Sequence, residues 1–559
     1  MEKEVDPSAP NLPHQADPGN LNNSTHPPPG NPTLNAVPSP PTYNMYDVPE
    51  FDGPPPSYEQ CVYNDPKTSY QPVTQPEEIQ IAKPADTGLP ALWYVDFFPR
   101  KVIPLQQPVE YSAEPRYEPF MSCMHQANYW LTQNLHYEVK TCECIERKVA
   151  KDGSVEGETT LWNRSHYNKT VYVRGLRIWI HGKADPNGPA QQLAHFNIKP
   201  EVHQISLTET EEFQQSMALG NAMAMSNMMM AGPFRRRQHN AMNMAMNMQM
   251  AANMCQGVTI PKFQSLEDAL KQWNERLDEN PIPGKLLNIE TFEMKYSETS
   301  FFESTENHVD PEVTAWTQRE STSKMFVHVL RVFYVIGPPS GEKLGIMNFT
   351  PYLLEEMPRT FSVRQPKFEA YTSVLDRATN WVVQNQAINR VTNIQSINLR
   401  WERLNLKANI DPNSMAFAEN PYVDTQFVRT VRIAYAINPA PIPPETPMLL
   451  TTKVMCPYKV GARIFETNGQ NLQRVVAWLH LSGAKVLCAE TVEYNFHPDA
   501  KIVRSDESYW KVTGHTGHYW LCCFRELMVT DIVWDDSKIL YCCPTPIQKK
   551  TDLMIIHIP

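Results

Sequence analysis

One three-part text recurs four times along this chain, and that recurrence limits the fold more than any other feature. The clearest copy spans Phe368–Ile437 and reads FEAYTSVLDRATNWVVQN, then VTNIQSINLRW, then FVRTVRIAYAI. In its first segment Phe368, Tyr371, Val374, Leu375, Ala378, Trp381 and Val382 fall at helix spacing, the stripe of an amphipathic helix. In the second, Ile397, Leu399 and Trp401 alternate with polar residues. In the third, Phe427, Val431, Ile433, Tyr435 and Ile437 share one face, opposite Val428, Arg432 and Ala434. Both later segments are strand patterns.

The other copies share its anchors. Each helix segment carries a tryptophan: Trp130, Trp273, Trp381 and Trp478. Each first strand carries an acidic or amide residue: Glu143, Glu290, Gln395 and Glu490. Each last strand carries an arginine in an apolar run: Arg177, Arg331, Arg432 and Arg525. A proline follows: Pro200, Pro351, Pro457 and Pro544. The arginines step by 154, 101 and 93 residues, so the unit is too long for a short solenoid repeat and large enough for a small domain. The pattern predicts an α+β chain of four tandem repeats, each a helix packed on antiparallel strands. The boundaries it implies are 91–202, 258–351, 352–457 and 458–559, the last including a C-terminal strand. An arginine in every repeat implies a structural need. The expected partner is the acidic residue of the first strand, Glu143 for Arg177 and Glu290 for Arg331, with Gln395 leaving Arg432 a hydrogen bond.

Two segments break the repeat. Residues 1–90 hold twenty of the fifty prolines, among Asn, Ser, Thr and Asp, and cannot bury enough apolar surface to fold alone. Residues 203–257 form a low-complexity insertion. Between Gln214 and Gln256 it holds twelve of the 25 methionines, and its only charges there are Arg235, Arg236 and Arg237. Met242, Met244, Met246, Met248 and Met250 could ligate copper(I) through thioethers, but a flexible, adhesive linker is the simpler reading.

The tail carries three short motifs: Pro7-Ser8-Ala9-Pro10, Pro40-Pro41-Thr42-Tyr43 and Pro55-Pro56-Ser57-Tyr58. Proline-rich runs pre-form an extended helix that docks into aromatic-lined grooves at little entropic cost. Both PPxY strings resemble ligands of WW domains, notably those of HECT-type ubiquitin ligases. Pro40, Pro41 and Tyr43, with Pro55, Pro56 and Tyr58, would then make the contacts. Pro7, Ser8, Ala9 and Pro10 resemble the late-domain motif read by the UEV domain of ESCRT-I. The resemblance implies a non-enzymatic adaptor in ubiquitin-linked endosomal sorting, its repeats binding cargo or one another. A self-assembling, Gag-like or shell-forming protein and an RNA-binding scaffold are the alternatives.

Composition weighs against the last. The net charge is −11, and residues 1–80 alone carry −9, so no general nucleic-acid face is implied. The charged, proline-bearing N-terminus is no signal peptide, no apolar run is long enough to span a membrane, and the eleven cysteines lack a framework spacing. A soluble, cytoplasmic, thiol-reduced chain is expected, visiting endosomes or the plasma membrane only transiently. His515, His518, Cys522, Cys523, Cys542 and Cys543 cluster late in the sequence. Adjacent cysteine pairs are not a zinc spacing, however, and reduced cysteines often pack as apolar residues. No catalytic constellation, metal site or cofactor is expected.

Overall fold

The computed structural model describes residues 91–102, 116–206 and 259–530, apart from 151–152, 165–169, 184, 186, 297–308, 319–323, 356–364, 386–388, 402–409, 420–424, 441–447, 462, 497–502 and 513–517. In the first repeat the order is β1 (Trp93–Phe97), α1 (Phe120–Gln133), β2 (Tyr137–Lys148), β3 (Leu161–Arg164) and β4 (Thr170–Gly182). It returns as β5 (Leu193–Ile198), α2 (Leu266–Glu279), β8 (Gly284–Tyr296), β9 (Ala315–Gln318) and β10 (Lys324–Ile336). The third pass is β11 (Lys343–Phe349), α3 (Tyr371–Asn385), β14 (Asn389–Arg400), β15 (Ala416–Glu419) and β16 (Thr425–Ile437). The fourth is β17 (Leu449–Met455), α4 (Asn468–Ser482), β20 (Lys485–Asn495), β21 (Tyr509–Val512) and β22 (His518–Thr530). Short two-stranded ribbons precede three of the helices: β6 (Val202–Ser206) with β7 (Thr259–Phe263), β12 (Leu353–Glu355) with β13 (Lys367–Phe368), and β18 (Lys459–Gly461) with β19 (Ile464–Phe465).

The fold is mostly β: among the described residues 53% lie in strands and there are four helices, arranged as the four blades of a β-propeller. The α+β expectation is therefore corrected. Helix-period and strand-period text reveals one helix and two long strands per repeat. Each repeat in fact supplies four strands to the blades, and the two shorter ones carry too few alternating residues to stand out. The helix is one 14- or 15-residue element lying on each blade.

The blades are not the repeats. Each sheet centres on a 13-residue strand, β4, β10, β16 or β22. One side of that strand is covered by the first long strand of its own repeat, β2, β8, β14 or β20. The other side is shared. Its C-terminal half takes the edge strand, β1, β5, β11 or β17. Its N-terminal end takes a short strand lent by the next repeat: β9 on β4, β15 on β10, β21 on β16 and, closing the circle, β3 of the first repeat on β22 of the last. Edge strands β5, β11 and β17 also lie on the earlier side of the boundaries read at 202, 351 and 457, yet pair with the later blade. A ring closed in this way leaves no blade free to separate without breaking main-chain pairing.

Helix ends use the same loans. Met121 N–H donates to Glu312 Oε2, Thr372 N–H to Asp506 Oδ1 and Gly469 N–H to Glu158 Oε2, each at 2.8 Å. The first N–H of each helix, on Phe120, Leu266, Tyr371 and Asn468, likewise reaches a carbonyl of the following repeat, that of Glu312, Asn413, Asp506 and Glu158. In three of the four cases, then, a carboxylate from the following repeat meets the positive end of the helix, worth about 0.3–1 kcal/mol apiece. The hydrophobic core is correspondingly divided into wedges. Val374, Leu375, Ala378 and Val382 of α3 pack on Ile433 of their own blade and on Leu450 and Leu527 of the next. Leu472, Val475 and Leu479 of α4 pack on Phe524 and on Leu92, Tyr94 and Trp179 of the first blade.

Candidate functional site

Strands β2, β8, β14 and β20 are the innermost of each blade and pack on one another in cyclic order around the axis. Their facing edges are bridged by side chains. Glu290 Oε1 accepts the N–H of Cys144 at 2.6 Å, Gln395 Oε1 that of Thr291 at 2.9 Å, Glu490 Oε2 that of Ser396 at 2.8 Å, and Glu143 Oε1 that of Thr491 at 2.6 Å. The four recurrent acidic or amide residues thus form one complete cycle of inter-blade bonds. One layer along, Asn288 bonds both the N–H and the carbonyl of Cys142, at 2.9 Å each, and Asn393 accepts from Ile289 N–H.

The four arginines sit in the same layer, all buried. The strand register places Arg177, Arg331, Arg432 and Arg525 directly across from Glu143, Glu290, Gln395 and Glu490. The guanidinium groups of Arg177, Arg331 and Arg432 nevertheless aim elsewhere, and only Arg525 pairs with the glutamate across from it. Arg177 forms its ion pair with Asp96 on the edge strand, two bonds at 2.7 Å, beneath the Tyr94 ring. Arg331 donates to Asn197 Oδ1 and the Pro311 carbonyl, under Phe120. Arg432 donates to Asn348 Oδ1 at 2.7 Å. Arg525 donates to the Tyr494 hydroxyl and approaches Glu490 Oε1 at 3.5 Å. Every one then extends a further bond to the residue of the previous blade whose N–H its own blade's Glu or Gln accepts: Thr491, Cys144, Thr291 and Ser396.

Charge in this layer follows the partners. Burial disfavours the charge of Arg177, but Asp96 outweighs it and the pKa rises. Arg432 pairs with no carboxylate among the described residues, and burial lowers its pKa to about 9. Burial likewise pushes Glu290 up to about 7.

Beyond this layer the axis opens into a chamber of about 290 Å³. Its collar is a closed ring of eight aromatic residues, one pair per blade. Tyr172 stacks on Trp316, Phe326 on Phe417, Phe427 on Trp510 and Trp520 on Trp162, with centroids 4.5–5.9 Å apart. Each pair meets the next edge-on or tilted, at 5.1–6.4 Å. Every pair joins a central strand to the strand lent by the next repeat, so the exchange builds the collar. Among the polar residues lining the chamber are Glu146, Glu293, Asn398 and Glu493, one from each inner strand. Glu146 pairs with Arg174. Glu493 accepts from Trp162 Nε1 at 3.2 Å, and burial raises its pKa despite the nearby Arg147 charge. Glu293 stays 43% exposed, with His328 at 3.8 Å.

The residues singled out by pattern divide. Trp478 is buried, whereas Trp130, Trp273 and Trp381 are half-buried, against Tyr137, Phe196 and Tyr435. Cys522 and Cys523 are buried and unbridged. His515, Cys542, Cys543 and Pro544 lie outside the described residues, as do the motifs at Pro7–Pro10, Pro40–Tyr43 and Pro55–Tyr58 and the insertion from 207 to 258. Among the described residues no group of three or more His, Cys, Asp or Glu could hold a metal ion, and no helix is long and apolar enough to cross a membrane. The chamber itself was missed from sequence, though a signal existed: an aromatic residue stands five positions before each recurrent arginine, at 172, 326, 427 and 520. No protein family, no curated protein and no solved structure matches the chain.

Proposed function

We propose that this protein is a non-enzymatic interaction scaffold, in which the propeller is a stable body and the proline-rich tail recruits WW-domain ubiquitin ligases and, through Pro7-Ser8-Ala9-Pro10, ESCRT-I. The observation that carries the scaffold reading is how the axial polar residues are used. Glu143, Glu290, Gln395 and Glu490 are engaged in holding adjacent blades together, and the buried arginines reach across to the same residues of the neighbouring blade, Thr491, Cys144, Thr291 and Ser396. A propeller so closed suits the display of binding segments. The tail supplies two PPxY strings whose tyrosines, Tyr43 and Tyr58, are fifteen residues apart, a separation that lets one chain reach two neighbouring grooves.

Calorimetry of the full chain with purified tandem WW domains tests this. Tyr43→Ala or Tyr58→Ala should each weaken binding, and the double substitution should abolish it. Phosphorylation of either tyrosine should also weaken it, because roughly −1.5 to −2 of charge would enter a pocket suited to a neutral ring. A double variant that binds like the parent would remove the support for recruitment through these motifs.

A further inference from the structure

Where the ring closes, two cysteines face one another. Strands β17 and β22 pair without a shift, from Leu449 opposite Thr530 to Met455 opposite Phe524. One step further along that register, Cys456 comes opposite Cys523. The N–H of Cys522 points to this side of β22, donating to the Thr160 carbonyl at 2.8 Å. The main chain of Cys523, the next residue, therefore points the other way, towards β20. That makes Cys456 and Cys523 a non-hydrogen-bonded pair, the register in which opposed Cα atoms lie closest, about 4.5 Å apart, and within the span a disulfide bridges. Both are buried in one core cluster, and both are free thiols. Burial raises the Cys523 pKa well above that of an ordinary thiol, and a hydrogen bond with the Cys456 thiol adds to the rise. The cysteines on other ladders have no such partner: Cys142, Cys144, Cys488 and Cys522 stand opposite Ile178, Leu176, Leu527 and Glu493.

We propose that Cys456 and Cys523 form a reversible disulfide that clamps the ring-closing junction of the propeller. The place gives the bond its effect. Thr160, which accepts the Cys522 N–H, leads directly into β3 of the first repeat, and its hydroxyl donates to the Glu466 carbonyl at 2.7 Å. Leu161 of β3 packs on the cluster that holds both cysteines. Arg474 of α4 donates to the Cys456 carbonyl at 2.6 Å. A covalent bond here fixes β17 to β22 beside the strand lent by the first repeat, and it closes a long loop, which restricts the unfolded chain. With hydrogen peroxide as oxidant, one thiolate attacks the O–O bond, becoming a sulfenic acid and releasing hydroxide, which takes up the proton that thiol gave up. The second thiol then displaces water from the sulfenic sulfur as the S–S bond forms. In all, two thiols lose two electrons and two protons, and the peroxide becomes two waters. Burial keeps the thiolate scarce, so the reaction is slow and waits on opening at the end of β17. The clamp concerns the propeller body, so WW-domain binding by the tail can fail without touching it.

The test is peptide mapping of the full chain by mass spectrometry, after oxidation with hydrogen peroxide and blocking of the remaining thiols with N-ethylmaleimide. A peptide linked through Cys456 and Cys523 should accumulate over hours and disappear on treatment with dithiothreitol. The oxidised chain should melt several degrees above the reduced one and be cut more slowly near Thr160 in limited proteolysis, and dithiothreitol should reverse both changes. Cys522→Ala, whose side chain lies on the opposite face of β22, should keep the rise in midpoint, and Cys456→Ala should lose it. Mapping of the wild-type chain decides the matter if Cys456→Ala does not fold. Cys456 and Cys523 both blocked as free thiols in the folded, oxidised chain, either one joined to a different cysteine, a linked form that melts no higher, or a rise that survives Cys456→Ala would overturn the proposal.

Discussion

Glu526 offers the sharpest test of the packing described above. It lies on β22 beside Arg525, opposite Lys453 of β17, and is wholly buried. Among the described residues no other residue hydrogen-bonds either carboxylate oxygen. Burial pushes its pKa from 4.5 up to about 8, against the pull of its own backbone N–H and of Lys453, Arg474 and Arg525. The folded chain therefore keeps a proton that the unfolded chain releases. The stabilisation tied to that proton is fully present below pH 4.5 and is lost as pH rises towards 8. At ~1.4 kcal/mol for each pH unit between the two values, the loss is roughly 5 kcal/mol. Glu526→Gln has nearly the same shape and cannot ionise. Urea denaturation of the full chain in steps from pH 4 to pH 9 should show wild type and variant close together at the acid end. The variant should become more stable by several kcal/mol at the alkaline end. Other buried carboxyls, Glu290 among them, titrate in both proteins and cancel in the difference. Two curves that run parallel from pH 4 to pH 9 would refute the account of Glu526 as an unpaired buried acid.

Arg177→Met should cost roughly 3–5 kcal/mol, because it strands Asp96 without its cation. Arg432→Met should cost far less, since Arg432 has no ion partner among the described residues, and chemical denaturation of the two variants compares them directly. Trp162→Ala removes the bond to Glu493 and the stack on Trp520 that join the first repeat to the last blade. It should lower stability by roughly 3–5 kcal/mol and make the 155–165 region cut faster in limited proteolysis than in the wild type. Gly284 has φ +155°, and a Cβ there would lie 2.0 Å from the Val335 carbonyl oxygen, so Gly284→Ala should lower the thermal midpoint by several degrees, read by differential scanning calorimetry. Trp478→Ala should destabilise more than Trp273→Ala, because the first ring is buried and the second only half-buried.

The fourfold repetition, the amphipathic helices, the long arginine-bearing strands and the cross-strand placing of each arginine against Glu143, Glu290, Gln395 or Glu490 were all legible in the sequence. Each is a local or near-local pattern, written in residues whose period matches the element they form. The class of the fold was not. It rests on β3, β9, β15 and β21, which are four residues long and too short to show a period. It rests equally on their pairing with a different repeat, because hydrogen bonding between strands is indifferent to which repeat supplies the partner. The same distance hides the partners of the arginines. Asp96 is 81 residues from Arg177, and Thr491 is 314 from it, so a glutamate of the nearer strand looked the natural counter-ion until the edge strand paired within the blade and ring closure brought the previous blade alongside. The aromatic collar and its chamber exist only once β3 has paired with β22, which no single repeat can specify, because the site is assembled from all four.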